Sequence, residues 1–383
     1  MNDSPGKLLL RDANVVLPNG TIEHAAILIE NGYISSIDAG EVAGAETIDL
    51  GGATILPGFI DVHIHGAVGV DVMDATPAAL REIARYLASQ GVTGWLPTFV
   101  PASDDNYARA IDTIAEMENG GGARVLGIHY EGPFVNSAQC GALHTEYFKT
   151  YLVPGDLDFL RVPQDGVRMI TLAPEVTGGV ELVKELNRRG WVISIGHTRA
   201  DLKTLDEACA SGARHMTHFM NAMAPLHHRS PGPIAWGLAR DDVTFDCIAD
   251  GIHLDPFMLR LLIKVKGARH ISLISDAIAA AGKGDGDYEI WGETITVKNG
   301  RTANKAGSIA GSVISMLDAV RLLHSLGVSY VDLAQMASSN PARLLGVDSA
   351  CGSIEVGKRA DLVALDDACN VKLALVGGKV VSH

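Results

Sequence analysis

The middle of the chain alternates between short apolar runs and longer stretches in which apolar residues recur with helical spacing. Between most of the apolar runs lies such a helical pattern, and eight buried strands that alternate with helices predict a parallel (β/α)8 barrel of the TIM type. The predicted barrel strands span residues 59–65, 94–99, 125–131, 169–174, 192–197, 215–219, 244–250 and 271–276.

The first predicted helix shows the clearest boundaries. Thr76 is placed to cap its N-terminus, Pro77 stands at the first helical position, and the pattern ends at Gly91. The other predicted helices span residues 104–117, 179–189, 200–211, 312–326 and 331–345.

Both ends of the chain have the pattern of short strands separated by turns. The predicted end strands span residues 7–10, 14–17, 26–29, 33–37, 361–365, 371–376 and 379–381. We therefore expect residues 1–56 and 350–383 to form one small β-sandwich domain, and residues 57–349 to form the barrel.

Composition narrows the classes of function. The chain has 383 residues, of which 47% are apolar, and 31 basic against 45 acidic side chains give a net charge of −14. An acidic protein is poorly suited to bind nucleic acid or an anionic membrane. The five cysteines never form a C-x-x-C pair, and neither a secretion signal nor a membrane-spanning run is visible. We expect a cytoplasmic protein.

Side chains that can bind metal cluster at the ends of the predicted strands, where barrel enzymes carry their catalytic groups. His63 and His65 end the first strand, and residues i and i+2 of a strand point to the same side. Further ligand-type residues at strand ends are Glu131, His197, His218 and Asp276. Imidazole and carboxylate together bind divalent transition metals, so we expect one or two ions, zinc first, with iron, manganese or cobalt as alternatives.

Two longer motifs resemble the amidohydrolase superfamily. They are PGFIDVHIHG at residues 57–66 and GSIEVGKRADLV at residues 352–363. Within the superfamily the sequence resembles the N-acetylglucosamine-6-phosphate deacetylase family. That resemblance rests on HYEGPF at 129–134, GHT at 196–198, THFMNAM at 217–223, DGIH at 250–253, SDA at 275–277 and AGS at 310–312.

The resemblance implies roles for the strand-end residues. Glu131, His197 and His218 resemble the ligands of the main metal ion, with Glu131 replacing the lysine that bridges two metals in many superfamily members. His63 and His65 then supply a second metal position. Asp276 resembles the aspartate that accepts a proton from the attacking water and passes it to the departing nitrogen.

The resemblance also implies a binding site for an N-acetylated sugar phosphate. Arg229 resembles a phosphate-binding arginine that reaches the active site of the partner subunit, which implies a homodimer. The other residues expected to contact substrate are Ala142, His144, Asn221, Ala222, His253, Ile309, Ala310 and Gly311. The segment Gly141-Ala142-Leu143-His144 departs from the family pattern, so either His144 follows a one-residue insertion or Leu143 takes its place.

Hydrolysis of N-acetylglucosamine 6-phosphate to the amino sugar phosphate and acetate is the leading hypothesis. The galactosamine isomer and other N-acyl substrates, such as N-acetyl-D-amino acids, are close alternatives. A cyclic-amide hydrolase of the dihydroorotase or hydantoinase kind shares the barrel, but usually has the bridging lysine. A non-enzymatic scaffold would require a lost ligand, and every ligand position is filled.

Overall fold

The computed structural model describes residues 6–117, 120–163 and 166–382, and its centre is a barrel of eight parallel strands. Neighbours in the barrel are hydrogen-bonded in chain order, which confirms the predicted TIM-type architecture. Barrel strands 1 to 8 are Phe59–Ile64, Val92–Phe99, Gly127–Glu131, Val167–Leu172, Val192–Ile195, His215–Met216, Thr244–Ile248 and Ile271–Ile274.

The last barrel strand meets the first one through both backbone and side-chain hydrogen bonds. The backbone N–H of Asp276 donates to the carbonyl of His63 at 2.9 Å, and that of His65 donates to Ala277 at 2.8 Å. The buried carboxylate of Asp61 accepts the Ser275 hydroxyl at 2.6 Å and the Ser275 N–H at 3.2 Å. This contact brings the ends of strands 1 and 8 together.

Helices surround the barrel, and side chains cap several of them, including the predicted cap at Thr76. Thr76 accepts from the N–H of Ala79, and Ser103 accepts from that of Asn106. The α-helices are Pro77–Ser89, Asp104–Ala115, Gly179–Arg188, Leu202–Ala210, Gly232–Ala239, Pro256–Lys266, Met316–Ser325, Tyr330–Ala334 and Asn340–Leu344. Shorter helical turns are Ser137–Gln139, Thr145–Tyr147, Pro154–Leu157, Ala268–His270 and the π-helical turn Gln335–Ser339.

Four helices differ from the sequence prediction. The helix expected at 312–326 begins only at Met316, because Ser312 pairs with the backbone at the end of barrel strand 8. The helix expected at 331–345 is interrupted by the π-helical turn. Gly232–Ala239 was missed because it is apolar on every side, and Pro256–Lys266 because some of its apolar residues, such as Phe257, face solvent.

The two chain ends form one continuous seven-stranded sheet that has its own apolar core. The ends are joined where Leu362–Leu365 pairs antiparallel with Glu46–Pro57. In spatial order the strands are Lys379–Ser382, Val371–Val376, Leu362–Leu365, Glu46–Pro57, Lys7–Leu17, Gly20–Glu30 and Tyr33–Ile37. The salt bridge from Arg124 to Asp361, at 2.8 Å, connects this sheet to the barrel.

An insertion that the sequence analysis missed follows barrel strand 8. Its three antiparallel strands are Gly286–Ile290, Glu293–Lys298 and Arg301–Ala303, and Trp291 and Gly292 form the first turn. A sequence signal was available, because polar and apolar residues alternate in residues 287–290 and 294–298 on either side of this turn. Two smaller pairings complete the sheets, Gly66–Ala67 with Val70–Asp71, and Arg124–Val125 with barrel strand 2.

Among the described residues, no helix combines the length and apolar character that a membrane crossing requires.

Candidate active site

Three of the expected site residues lie where the backbone leaves a barrel strand in a left-handed conformation. The φ angles are 48° at His197, 31° at His218 and 50° at Asp276. Such angles are uncommon in residues other than glycine and cost free energy. Backbone hydrogen bonds hold them, since Asp276 donates to His63 and Asn136 donates to the carbonyl of His197 at 3.0 Å. The strained turns direct these side chains into the mouth of the barrel.

Glu131, His197 and His218 form the first of two buried groups of ligand atoms. Oε1 of Glu131 lies 2.9 Å from Nε2 of His197 and 3.0 Å from Nε2 of His218, and the two Nε2 atoms are 3.1 Å apart.

His63, His65 and Asp276 form the second group. The Nε2 atoms of the two histidines are 3.1 Å apart, and Oδ1 of Asp276 lies 3.3 Å and 3.2 Å from them. Oε2 of Glu131 is 3.4 Å from Nε2 of His65, so the Glu131 carboxylate lies between the groups.

These distances fit metal coordination. Ligand atoms about 2.05 Å from a tetrahedral zinc ion lie about 3.3 Å from one another, close to the separations in both groups. Nδ1 of His197 lies 2.8 Å from the Gln139 carbonyl, and Nδ1 of His65 lies 3.1 Å from the Thr98 carbonyl. Donation from Nδ1 leaves the lone pair of Nε2 directed at the ligand cluster, as in metal-binding histidines.

Burial and the acidic neighbours have opposite effects on the histidines. Burial lowers the pKa of His63 well below its ordinary value. Burial also disfavours charge on His65 and His218, but the carboxylates of Asp276 and Glu131 outweigh it and raise both pKa values to about 9. In turn, the surrounding histidines outweigh burial at Glu131 and hold its pKa well below the usual range.

A layer of polar side chains that sequence reasoning missed supports the ligands. Asp246 in barrel strand 7 accepts from the backbone N–H of His218, and its other oxygen lies 3.1 Å from Nε2 of His215. Nδ1 of His215 is in turn 2.7 Å from the Thr244 hydroxyl. Asp246 therefore fixes the turn that carries His218, and a carboxylate inside an otherwise apolar strand was the available sequence signal.

His129 packs edge-on against His63, with ring centroids 4.8 Å apart, but belongs to neither candidate ligand group. Its Nδ1 lies 2.9 Å from the carbonyl of Val62, and its Nε2 lies 2.8 Å from the Thr171 hydroxyl. Burial lowers the pKa of His129 to about 4, so the ring is neutral at pH 7. Its two hydrogen bonds connect neighbouring strands inside the barrel.

A cavity of about 360 Å³ opens above the two groups. His65, Glu131, His197, His218 and Asp276 lie at its wall, whereas His63 is fully buried behind it. Six of the nine residues expected to contact substrate line the cavity, namely Ala142, Asn221, Ala222, His253, Ile309 and Gly311. Further lining residues that the sequence analysis did not assign are Gly141, Leu143, Ile248, Trp291 and Ser308.

The other three expected contacts lie elsewhere. His144 points away, with its Nε2 3.0 Å from the Trp291 carbonyl, and Leu143 takes its place at the cavity. Ala310 is fully buried, and its N–H donates to the Thr302 hydroxyl at 3.2 Å. Arg229 is exposed and contacts His228 at 2.7 Å, outside the cavity of its own chain.

His253 presents one ring nitrogen to the cavity. Its Nδ1 lies 2.7 Å from the Asp250 carboxylate, which also accepts the N–H groups of Ile252 and His253. Burial opposes ionisation of Asp250, but its bond to His253 outweighs burial and lowers the pKa of this carboxyl. Because Nδ1 is engaged, Nε2 remains available to a ligand.

Comparison with known proteins agrees with this geometry. The model of the amidohydrolase family matches residues 54–381. N-acetylglucosamine-6-phosphate deacetylase of Bacillus subtilis is 36% identical, over 97% of this chain and 96% of its own. N-acetylgalactosamine-6-phosphate deacetylase of Escherichia coli O157:H7 is 35% identical, and the match covers 98% of this chain and 99% of that protein. The crystal structure of N-acetylglucosamine-6-phosphate deacetylase from Pasteurella multocida superimposes with a TM-score of 0.91 at 29% identity, covering 98% and 100%.

The raised pKa values of His65 and His218 predict that metal binding strengthens as pH rises. Without metal both rings hold a proton up to a pH of about 9, and a metal ligand must be neutral. The apparent association constant for zinc should therefore increase between pH 6.5 and 8.5, in competition with a chelator whose own protonation is corrected for. In His65→Gln the slope of the logarithm of this association constant against pH should fall by one, because one proton fewer is displaced. An association constant that does not vary with pH in the unsubstituted protein would contradict this explanation.

Proposed function

The chain belongs to the amidohydrolase family, and we propose that it hydrolyses the acetamide of N-acetylglucosamine 6-phosphate, giving glucosamine 6-phosphate and acetate. The observation that carries the proposal is the arrangement of two histidine and carboxylate groups around Glu131, with Asp276 at the wall of a cavity of sugar-phosphate size. Proteins named for this activity are similar to the chain over nearly its full length.

Enzymes of the amidohydrolase superfamily depend on metal, and the donor set here suits a divalent ion. We propose that Glu131, His197 and His218 hold the main ion and that His63 and His65 hold a second one, with zinc ahead of iron, manganese and cobalt. A bound ion would supply Lewis acidity, which lowers the pKa of water and polarises a carbonyl.

Asp276 is the proposed general base and general acid. It lines the cavity beside the ligand atoms, and its N–H is fixed by the His63 carbonyl. Its carboxylate accepts a proton from the water that attacks the acetyl carbon, and then delivers that proton to the nitrogen as the C–N bond breaks. Proton delivery is needed because an unprotonated amine is a poor leaving group.

The remaining contacts divide between sugar and phosphate. His253 and Asn221 offer hydrogen bonds to the sugar at the cavity wall. Arg229 lies in a loop with His227 and His228, exposed and outside its own cavity. We propose that this loop binds the phosphate in the active site of a partner subunit, so that the working enzyme is a homodimer. A guanidinium binds phosphate oxygens in bidentate fashion.

Two related substrates remain candidates. The similarity to an N-acetylgalactosamine-6-phosphate deacetylase favours the galactosamine isomer as the second choice. N-acetyl-D-amino acids rank below it because they lack a phosphate for Arg229. Cyclic amides rank lowest, since enzymes of that kind usually have a bridging lysine where Glu131 lies, and no lysine lines the cavity within the described residues.

We also propose that residues 1–56 with 350–383 form one domain and that residues 57–349 form the other. The separate apolar core of the end sheet supports this division.

Acetate release from N-acetylglucosamine 6-phosphate tests the function directly. Purified protein with measured metal content should release acetate and glucosamine 6-phosphate in equal amounts, faster than it cleaves non-phosphorylated N-acetylglucosamine. The galactosamine isomer and an N-acetyl-D-amino acid are the comparison substrates. If only the amino acid is cleaved, the proposal is wrong.

Removing the first-strand histidines should remove one ion. We expect two zinc ions per chain in the unsubstituted protein and one in His63→Gln/His65→Gln, measured by elemental analysis after dialysis. The control variant His324→Gln changes a histidine whose ring stacks on Tyr330, outside both ligand groups, and should keep both ions. Unchanged stoichiometry in the double variant would refute the second position.

Asp276→Asn should keep the fold and lose most of the turnover. Loss of proton transfer predicts a fall in kcat of about 10²- to 10⁴-fold. The circular dichroism spectrum and the zinc content per chain, compared with those of the unsubstituted protein, show whether the fold and the metal site are kept. A kcat near that of the unsubstituted enzyme would exclude Asp276 from this role.

Arg229→Ala should raise KM for the phosphorylated substrate and leave kcat less affected, because the arginine binds a part of the substrate that does not react. Arg301→Ala, another exposed arginine, is the control and should change neither constant. Mixing Arg229→Ala with Asp276→Asn chains tests the partner arrangement. In the mixed dimer one active site has an intact Asp276 and receives an intact Arg229, so turnover with the KM of the unsubstituted enzyme should reappear. If only the raised KM of Arg229→Ala is found, Arg229 lies outside the partner's site.

A further inference from the structure

Trp291 lines the cavity and lies in a turn whose two residues both have positive φ. It occupies the first turn of the inserted three-stranded sheet with φ of 54°, followed by Gly292 with φ of 77°. A bulky side chain at positive φ is a strained arrangement that persists only where the surroundings impose it.

Contacts from three separate segments impose this position. The indole Nε1 donates to Oδ2 of Asp71 at 2.9 Å, and the Trp291 carbonyl lies 3.0 Å from Nε2 of His144. The indole also packs edge-on against the His65 ring, with centroids 5.4 Å apart. These contacts fix the ring beside a metal-ligating histidine.

The cavity wall has an apolar part and a polar part. Trp291 packs against an apolar cluster that includes Leu143, and Trp291, Leu143 and Ile309 give the apolar part of the wall. Asn221 and His253, on the loops after barrel strands 6 and 7, give hydrogen-bonding groups. An N-acylated sugar phosphate is polar except for the alkyl end of its acyl group. Burial of that alkyl end against the apolar wall is therefore the favourable orientation.

We propose that Trp291 closes the acyl subsite and restricts the acyl group to acetyl. This inference rests on the proposed function, since it assumes that an N-acyl bond is cleaved beside Asp276. The reacting carbonyl carbon must lie near Asp276, and the attached alkyl group extends from it by only one carbon in an acetyl group. Each additional methylene would meet an indole whose ring is bonded to Asp71 and whose backbone is bonded to His144.

The test measures acyl preference. N-acetyl-, N-propionyl- and N-butyrylglucosamine 6-phosphate are compared by kcat/KM in the unsubstituted enzyme, Trp291→Ala and Trp291→Phe. One methylene in an apolar subsite changes kcat/KM by about 10- to 200-fold. Trp291→Ala should therefore raise the ratio of kcat/KM for the butyryl substrate to kcat/KM for the acetyl substrate by ~10-fold or more. The ratio in Trp291→Phe should lie between those of the unsubstituted enzyme and Trp291→Ala. Lys298→Ala, at an exposed position of the same sheet and outside the cavity, should leave the ratio unchanged.

The outcomes separate this inference from the proposed function. If Trp291→Ala lowers kcat/KM equally for all three acyl groups, the indole contacts the sugar and the inference is wrong. If Trp291→Ala fails to fold or loses metal, the ratio in Trp291→Phe decides, and an unchanged ratio there overturns it. If the enzyme cleaves only N-acyl-D-amino acids, the function is wrong, and the same ratio measured with acetyl and butyryl amino acids tests Trp291 independently.

Discussion

The structure of the site depends on one buried carboxylate. Glu131 ends barrel strand 3 and has its two oxygens within 3.0 Å of His218 and 3.4 Å of His65, one from each group. A buried carboxylate needs a neighbouring positive charge. Next to Glu131 that charge comes from protonated histidines or from a metal ion. The convergence of histidines on Glu131 is therefore both the condition for burying it and the feature that suits the site to a bound cation.

Holding several ligands at such short separations requires rigid support. Asp61 joins the ends of the first and last barrel strands through Ser275, and this positions His63 and Asp276 as neighbours. Asp246 supports the turn of His218 in the same way. Asp61 and Asp246 stabilise the segments that carry these left-handed turns, because they satisfy backbone N–H groups that would otherwise be buried without a partner. The barrel thus supplies the geometry of the candidate ligands, whereas the loops above it supply the rest of the cavity wall.

Different loops contribute different side chains to the cavity wall. Loops after barrel strands 6 and 7 present Asn221 and His253, and the insertion after strand 8 presents Trp291. His144 holds the carbonyl of Trp291, so a residue expected to touch substrate instead supports one that lines the cavity. Barrel enzymes vary specificity by changing such loops while the strands and their metal ligands stay in place.

The amino-acid sequence was enough to predict the barrel and to place His63, His65, Glu131, His197, His218 and Asp276 at the ends of its strands, whereas their division between two metal positions came from a family resemblance and stays a prediction. Buried parallel strands have a continuous apolar pattern, and side chains at their carboxyl ends must meet at one face of the barrel. The spacing of His63 and His65 put both on one side of a strand, which needs only local geometry. The tertiary structure alone decided the roles of Asp61 and Asp246, the position of Trp291, and the choice of Leu143 over His144 at the cavity. Each depends on contacts between segments far apart in the chain, and local periodicity carries no information about such contacts.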